Sequence, residues 1–308
     1  MSVSVCVCTF RRPRGLARLL EALARVSAER LQGELEVVVV DNDPEGSARE
    51  TVAALAPSLP WPVRYVPEPR RGISFARNRA VAEAGAEWIA FLDDDEEPEP
   101  GWLDELLRVQ AGHAADVVAG PVMPRFEAPV PRWIERGRFF EVPRHATGTR
   151  LPYADTGNVL VRASVFRALG GAEGPFSARL ALAGGEDTHF FLRVARAGHR
   201  IVWADDALAW EWVPPSRTRV SWLLRRAFRR GNTWALCERE LDPAFRVRAL
   251  RLARAVGRIG VGTLRMLAAP FSGTHAAVDA LRGICFGAGS VAGLAGFRYD
   301  EYRTTHGA

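Results

Sequence analysis

The first 110 residues alternate between two hydrophobic patterns. Short, nearly gapless apolar runs (SVSVCVCT, LEVVVVD, VRYV and WIAFLD) are each followed by a stretch in which apolar residues return every three or four positions: Pro13 to Val26, Ser47 to Ala56, Ile73 to Ala84 and Trp102 to Gln110. Runs such as EVVVV and WIAFL predict strands covered on both faces, and their alternation with helical periods predicts βαβ units and a mostly parallel sheet. Residues 121 to 155, rich in Pro and Arg, follow neither period and read as an irregular excursion, a length typical of a lid or substrate loop. Beyond it the sequence predicts a strand at Thr156 to Arg162, a short helix at Ala163 to Leu169 and a Gly-rich loop to Gly185. A helix from Glu186 and a strand pair between Arg200 and Val213 follow.

In sheets of this kind ligands bind beyond the carboxyl ends of the strands. The first strand ends in Thr9, Arg11 and Arg12, the second in Asp41, Asn42 and Asp43, and the fourth in Asp93, Asp94 and Asp95. Each set alone can be a turn or a loop cap; three converging on one sheet edge favour a site. Loop carboxylates one residue apart can converge on a hard cation, and Mg²⁺ or Mn²⁺ held by one or two carboxylates takes its other ligands from phosphate and water. The stretch ALAGGEDTHFFLRVARAG places Glu186 and Asp187 at a helix start, where the helix dipole favours acids and simple capping would suffice. A carboxylate beside a Gly-Gly turn can also approach a substrate and accept a hydroxyl proton.

Composition narrows the classes. A chain of 308 residues, 48% hydrophobic, supports one large α/β domain with a helical appendage and excludes a disordered or fibrous protein. Four cysteines, with Cys6 and Cys8 on an apolar strand, offer neither a disulfide framework nor a metal spacing, so a reducing cytoplasm is expected. The opening MSVSVCVCTF lacks the basic and long apolar regions of a signal peptide. The net charge of +5 conceals a split: residues 213 to 308 carry 16 Arg against 6 acids, and the rest 25 Arg against 30. All 41 basic residues are arginine, which a GC-rich coding bias explains.

The basic end has its own pattern. FRVRALRLARAVGRIGVGTLRMLAA puts Arg251, Arg254, Arg258 and Arg265 on one helical face and Leu252, Val256, Ile259, Leu264 and Leu267 on the other. The apolar segment GICFGAGSVAGLAGF, about fifteen residues, is shorter than the ~20 needed to span a bilayer. Together they predict a helix and a shallow hairpin at an anionic membrane face, with dimerisation through the apolar stripe as the other reading. No nucleic-acid partner is expected, since aromatic interleaving is absent.

The ordered motifs VSVCVCTFRRP, VVVVDND, RRGISFARNRA, WIAFLDDDEEP, TGNVLVR and GGEDTHFFLR resemble the family 2 glycosyltransferases of the GT-A fold, over roughly residues 2 to 235. The nearest likeness is to the subgroup of bacterial exopolysaccharide synthesis, including succinoglycan-type glucosyltransferases. The resemblance implies an α/β GT-A domain over residues 1–235, Rossmann-like, with a mostly parallel sheet and helices on both faces. Residues 236–308 would be a basic amphipathic and apolar helical tail associating with the membrane. It further implies that Thr9, Arg11 and Asp41 line the base and ribose of a nucleotide, with Arg77 near its phosphates. Asp93 and Asp95 would be the DxD pair, with Asp94 between them at the nucleotide; Asp187 would be the general base, assisted by Glu186. Gly157 and Asn158 would shape the donor-sugar and acceptor pocket.

The expected activity is inverting, metal-dependent transfer of a hexose from a UDP-sugar to a lipid-linked or polysaccharide acceptor, at the cytoplasmic membrane face. Arg217, Arg226 and Arg229 are candidates for stabilising the leaving group, or for a solvated or lipid-facing basic helix. Two departures stand out. Trp210-Glu211-Trp212 occupies the place where many GT-A enzymes carry a metal-binding histidine, making Glu211 a candidate oxygen ligand and the two tryptophans candidate sugar platforms. The QxxRW motif of processive synthases and flanking transmembrane helices are missing, so one sugar per encounter is expected. His189, two residues past Asp187, reads as a packed helix residue, with contact to the acceptor as the other reading. The rival readings are a sugar nucleotidyltransferase, against which CTFRRPRG carries one glycine, and a carbohydrate-binding scaffold.

Overall fold

The computed structural model of the chain describes residues 1–299, the side chain of Pro270 excepted. Four strands, β1 (Val3–Thr9), β2 (Leu35–Asp41), β3 (Val63–Pro67) and β4 (Trp88–Asp93), lie side by side and parallel in the order β3-β2-β1-β4. The sheet continues through β8 (Val159–Arg162), antiparallel to both its neighbours, to β6 (Val117–Ala119) and β9 (Ile201–Trp203). The gapless runs are explained by two cores. On β2, Val37 and Val39 face a cluster built by Leu16, Leu19 and Leu20 of α1 (Pro13–Leu23), Val52 of α2 (Arg49–Leu55) and Trp102 and Leu106 of α4 (Trp102–His113). Val38 and Val40 face the other cluster, with Ala76 and Ala80 of α3 (Ile73–Glu83), Phe166 of α6 (Ala163–Leu169) and Phe190 and Val194 of α7 (Glu186–Arg196). Adjacent side chains on a strand point to opposite faces, so a strand buried on both must be apolar throughout.

Three departures from the sequence-based expectations have local causes. The excursion after Gly120 contains β7 (Val122–Phe126) and α5 (Arg132–Gly137), and β7 joins β5 (Glu96–Pro98) and β10 (Ala209–Val213) in a second, three-stranded sheet. The strands between Arg200 and Val213 do not pair with each other: β9 completes the main sheet beside β6, and β10 lies between β5 and β7. Strands as short as EEP, IVW and VMPRF carry too few residues for a period to show.

The third departure is in the tail. The apolar segment belongs to a longer helix, α10 (Thr274–Ala295), 22 residues, long and apolar enough by length and composition to cross a membrane. It runs between α8 (Val220–Leu241) and α9 (Phe245–Ser272), with a third of its apolar window buried. A Cβ at Gly289 would fall 2.0 Å from the carbonyl oxygen of Phe228, and one at Gly287 2.7 Å from that of Ala255, so glycines let α10 seat directly on both neighbours. Read as isolated letters, those glycines disguise a helix that packing makes continuous. The boundary expected at residue 235 falls within α8. A small apolar cluster of Ile134, Phe139, Leu223 and Val278 ties α5, α8 and α10 together.

Candidate active site

The carboxyl ends of β1, β2 and β4 meet as predicted, and arginines stitch them together. Thr9, 3% exposed, donates its hydroxyl to Asp94 Oδ2 at 2.8 Å. Arg12 reaches Asp94 Oδ1 at 2.9 Å and Asp95 Oδ2 at 3.1 Å. Asp95 Oδ2 also accepts from Arg217 at 2.9 Å, and Arg217 pairs in turn with Glu211 of β10. Arg77 of α3 pairs with Asp93 at 3.2 Å and with Glu186 at the start of α7. The last turn before α7 needs its glycine: Gly185 has φ +87°, and a Cβ there would meet the Thr233 side chain of α8 at 1.8 Å. That close approach, with the Cys237 thiol donating to the Gly185 carbonyl, seats the start of α7 on α8.

Crowding of carboxylates governs the electrostatics. Burial pushes the Asp94 carboxyl up to about 6, against the pull of Arg12. Asp93, its side chain open to the cavity, is raised by desolvation within the cleft and by the charges of Asp95 and Asp187, with Arg77 opposing. Glu96, whose Oε2 accepts the Asp93 N–H at 3.0 Å, is held well above the usual carboxylate range by burial and by Asp93. Glu211 is raised by burial and by Asp95. Asp155, on the segment entering β8 and exposed to the cavity, is pushed up to about 7 by desolvation within the cleft and then by Asp187. Carboxylates raised by desolvation and by one another in a cleft are candidates for a functional site.

One cavity of about 1350 Å³ gathers these groups. Thr9, Arg77, Asp93, Asp94, Asp95, Glu186, Asp187 and Glu211 all line it, as do Gly157, Arg217, Arg226 and Arg229. Asp95 and Asp187, contributed by stretches of chain ninety residues apart, therefore share one space. Other candidates lie elsewhere. Asp41 is fully buried and accepts from the backbone N–H of Asp43 at 3.0 Å and Ala48 at 2.8 Å and from the Tyr65 hydroxyl at 3.0 Å, which fixes the loop before α2. Arg11 turns away to Asp43 at 3.1 Å. Neither lines the cavity. Asn158, also fully buried, accepts from Trp102 Nε1 at 2.6 Å and donates to the carbonyls of Pro121 and Ala207 at 2.8 and 2.7 Å, locking β8 to the loops around it.

Trp210 and Trp212 face the second sheet's outer side, donating to Glu99 and Glu97 and stacking on Arg125 and Arg18. The tryptophans on the cavity are Trp203, Trp222 and Trp234. His189 packs between α7 and α8 with Nε2 3.5 Å from Glu240, and burial lowers its pKa. Arg12, noted at the end of the first strand, joins the site as the partner of Asp94 and Asp95; Asp155 is the site residue that pattern alone passed over, since it lies immediately before the TGN motif in a stretch without a period.

The donor set suits a hard divalent cation, since carboxylates raised by mutual repulsion gain from one. Among the described residues no three His, Cys, Asp or Glu side chains are disposed to hold an ion unaided. Asp93 and Asp95 would thus supply two oxygens, with Glu211 beside them, and phosphate and water the rest.

The family model described as glycosyl transferase family 2 matches residues 4–170, and a related one, glycosyl transferase family group 2, residues 88–284. The succinoglycan biosynthesis protein ExoM of Rhizobium meliloti is 36% identical over 304 residues, 98% of this chain and 95% of that protein. The chain belongs to glycosyl transferase family 2. A pre-mycofactocin glycosyltransferase of Mycobacterium tuberculosis is 29% identical over 255 residues, 78% of this chain and 48% of that protein, so the chain spans about half of that relative's length. Among solved structures, S. aureus TarS residues 1–349 in complex with UDP superimposes with a TM-score of 0.54 at 18% identity, covering 97% of this chain and 93% of that one. Full S. aureus TarS gives a TM-score of 0.59 at 16% identity over 95% of this chain and 55% of that one. Those likenesses establish the glycosyltransferase fold, and family membership sets aside the nucleotidyltransferase reading.

Proposed function

We propose that this glycosyltransferase moves a hexose from a UDP-sugar to a lipid-linked or polysaccharide acceptor in surface-polysaccharide synthesis, with inversion at the anomeric carbon. The observation that carries this reading is the common cavity of Asp93, Asp95 and Asp187. Two likenesses support it: the similar TarS fold was solved with UDP, and the relative 36% identical is a succinoglycan biosynthesis protein.

A divalent cation at Asp93 and Asp95 would stabilise the charge that develops on the departing diphosphate. Arg217 and Arg226, on the same cavity, add fixed positive charge there. Asp187 accepts the proton of the acceptor hydroxyl as the new glycosidic bond forms, and a single displacement requires no protein nucleophile. Glu186 is a positioning residue: its pair with Arg77 anchors the turn that presents Asp187. Thr9 keeps its part at the nucleotide. Asp41 and Arg11 support that wall from behind, through α2 and Asp43.

Turnover of a panel of UDP-, GDP- and TDP-sugars with Mn²⁺ tests the reading, with UDP-glucose first. Asp187→Asn should lower transfer by about 10²–10⁴-fold, the usual worth of a general base, while UDP binding persists. Wild-type levels of transfer in that variant, or no metal-dependent turnover in the wild type, would sink it. Membrane contact, peripheral and on the cytoplasmic face, is supported by α9, which exposes Leu252, Val256, Leu264 and Leu267. Full-length protein should float with anionic liposomes; recovery in the soluble fraction would remove that part.

A further inference from the structure

The cavity does not end at the carboxylates. Past Arg226, which stands between the two ends, it continues among α8, α9 and α10, where its wall changes sign: Arg230, Arg258, Arg265 and Arg282 line it together with Asp279. Asp279 is divided between Arg265 at 3.7 Å and Arg282 at 3.6 Å, so one carboxylate answers two guanidinium groups at long range. Aromatic faces hold the cations in place. The guanidinium carbon of Arg258 is 4.2 Å from the ring centre of Phe286, that of Arg282 4.8 Å from Phe139 and that of Arg226 5.0 Å from Trp222. A cation over a ring is stabilised without using its N–H donors, which stay available to an oxygen-rich ligand. Arg226 is sufficiently desolvated that its pKa falls to about 10, with Arg230 adding like charge against the pull of Glu211.

A concave wall of guanidinium groups with donors to spare matches a phosphate or diphosphate, whose oxygens take paired N–H bonds. The same helix indicates how such a ligand would arrive. Gly262 and Ala255 of α9 abut α10, Arg258 and Arg265 lie to one side of that seam, and Leu252, Val256, Leu264 and Leu267 lie to the other. These four residues are 45%, 55%, 67% and 72% exposed, a row of large apolar side chains left uncovered. An anion seated at Arg258 would therefore sit beside the face that meets lipid.

We infer that the arginines at the helical end of the cavity, Arg258 and Arg282 foremost, bind the phosphate or diphosphate of a lipid-carried acceptor, at a subsite separate from the donor's diphosphate. This rests on the proposed function, in which the Asp93 and Asp95 end belongs to the nucleotide.

The test uses full-length protein and farnesyl diphosphate as probe, titrated with UDP and Mn²⁺ saturating. Binding should persist under those conditions. It should weaken roughly ten- to hundredfold in Arg258→Gln and in Arg258→Gln/Arg282→Gln, the loss of one or two charge-assisted contacts. Arg248→Gln, on the exposed start of α9 and off the cavity, should leave it unchanged. Inorganic pyrophosphate should displace the probe, which shows that the diphosphate is what the arginines recognise. Weaker binding of pyrophosphate than of the farnesyl compound assigns the remainder to the lipid. The inference is overturned if UDP displaces the probe, if farnesol binds as tightly as its diphosphate, or if the Arg258 variant matches the wild type. UDP affinity, measured on every variant, separates the two readings: its absence in the wild type counts against the proposed function, and its retention without probe binding counts against the acceptor subsite alone. Arg258, exposed on α9, can be changed without disturbing the core.

Discussion

Arg77 joins the DDD loop to the start of α7, and its removal has a calculable consequence. Arg77→Met keeps the aliphatic stem and deletes the guanidinium. Glu186 is then left with a side chain 2% exposed, no cation beside it, and an Oε2 that already has no hydrogen-bond partner. Removing one member of a buried ion pair costs about 3–5 kcal/mol, because the surviving charge stays desolvated. Set against a typical total of about 5–15 kcal/mol, the variant should unfold at much lower urea. Asp93, with its side chain 46% exposed, is released into water and adds little. Removing the orphaned charge should reverse the damage, so Arg77→Met/Glu186→Gln should recover about 2 kcal/mol of the loss. Urea unfolding followed by tryptophan fluorescence on the wild type, both single variants and the double closes the cycle. A single variant within 1 kcal/mol of the wild type, or a double variant as unstable as the two singles summed, would refute the buried-pair argument.

Other expectations follow from the same geometry. Asn158→Ala strands the Trp102 indole N–H and two carbonyls in the core and should destabilise by about 3–5 kcal/mol, read by thermal or urea unfolding; a loss under 1 kcal/mol contradicts the bonding described. The fold raises the Asp155 carboxyl to about 7, against about 4 for an unfolded aspartate, and because the residue is exposed to the cavity, solvent screening leaves only a fraction of that difference as stability. Its contribution to stability therefore falls as pH rises between those values, and Asp155→Asn should flatten that part of a stability-versus-pH curve; an unchanged slope argues against it. Asp95→Asn should abolish the Mn²⁺-dependent gain in UDP affinity seen by calorimetry and leave the metal-independent part, whereas a retained gain would place the cation elsewhere.

Much of the catalytic domain was legible from residue order. Strands buried on both faces must be apolar throughout, so the first four announced themselves along with their helices, and the polar residues at their ends had to share an edge. The motifs from Thr9 to Asp187 resemble those of one enzyme family in the family's order, and the family comparisons agree. Folding decided what depends on distance between segments. Asp41 and Asn158 look like site residues in the sequence; in the fold the carbonyls, amides, hydroxyl and indole N–H that engage them come from residues up to 56 positions away. Trp210 and Trp212 are turned aside by a three-stranded sheet too short to leave a period, while Arg12 and Asp155 are drawn in. The glycines of α10 read as breaks until α8 and α9 close on them, and that closure turns the arginine side of α9 toward the cavity. Periodicity reports how a segment is buried; which partner buries it, and what then faces the substrate, is a property of the packed chain alone.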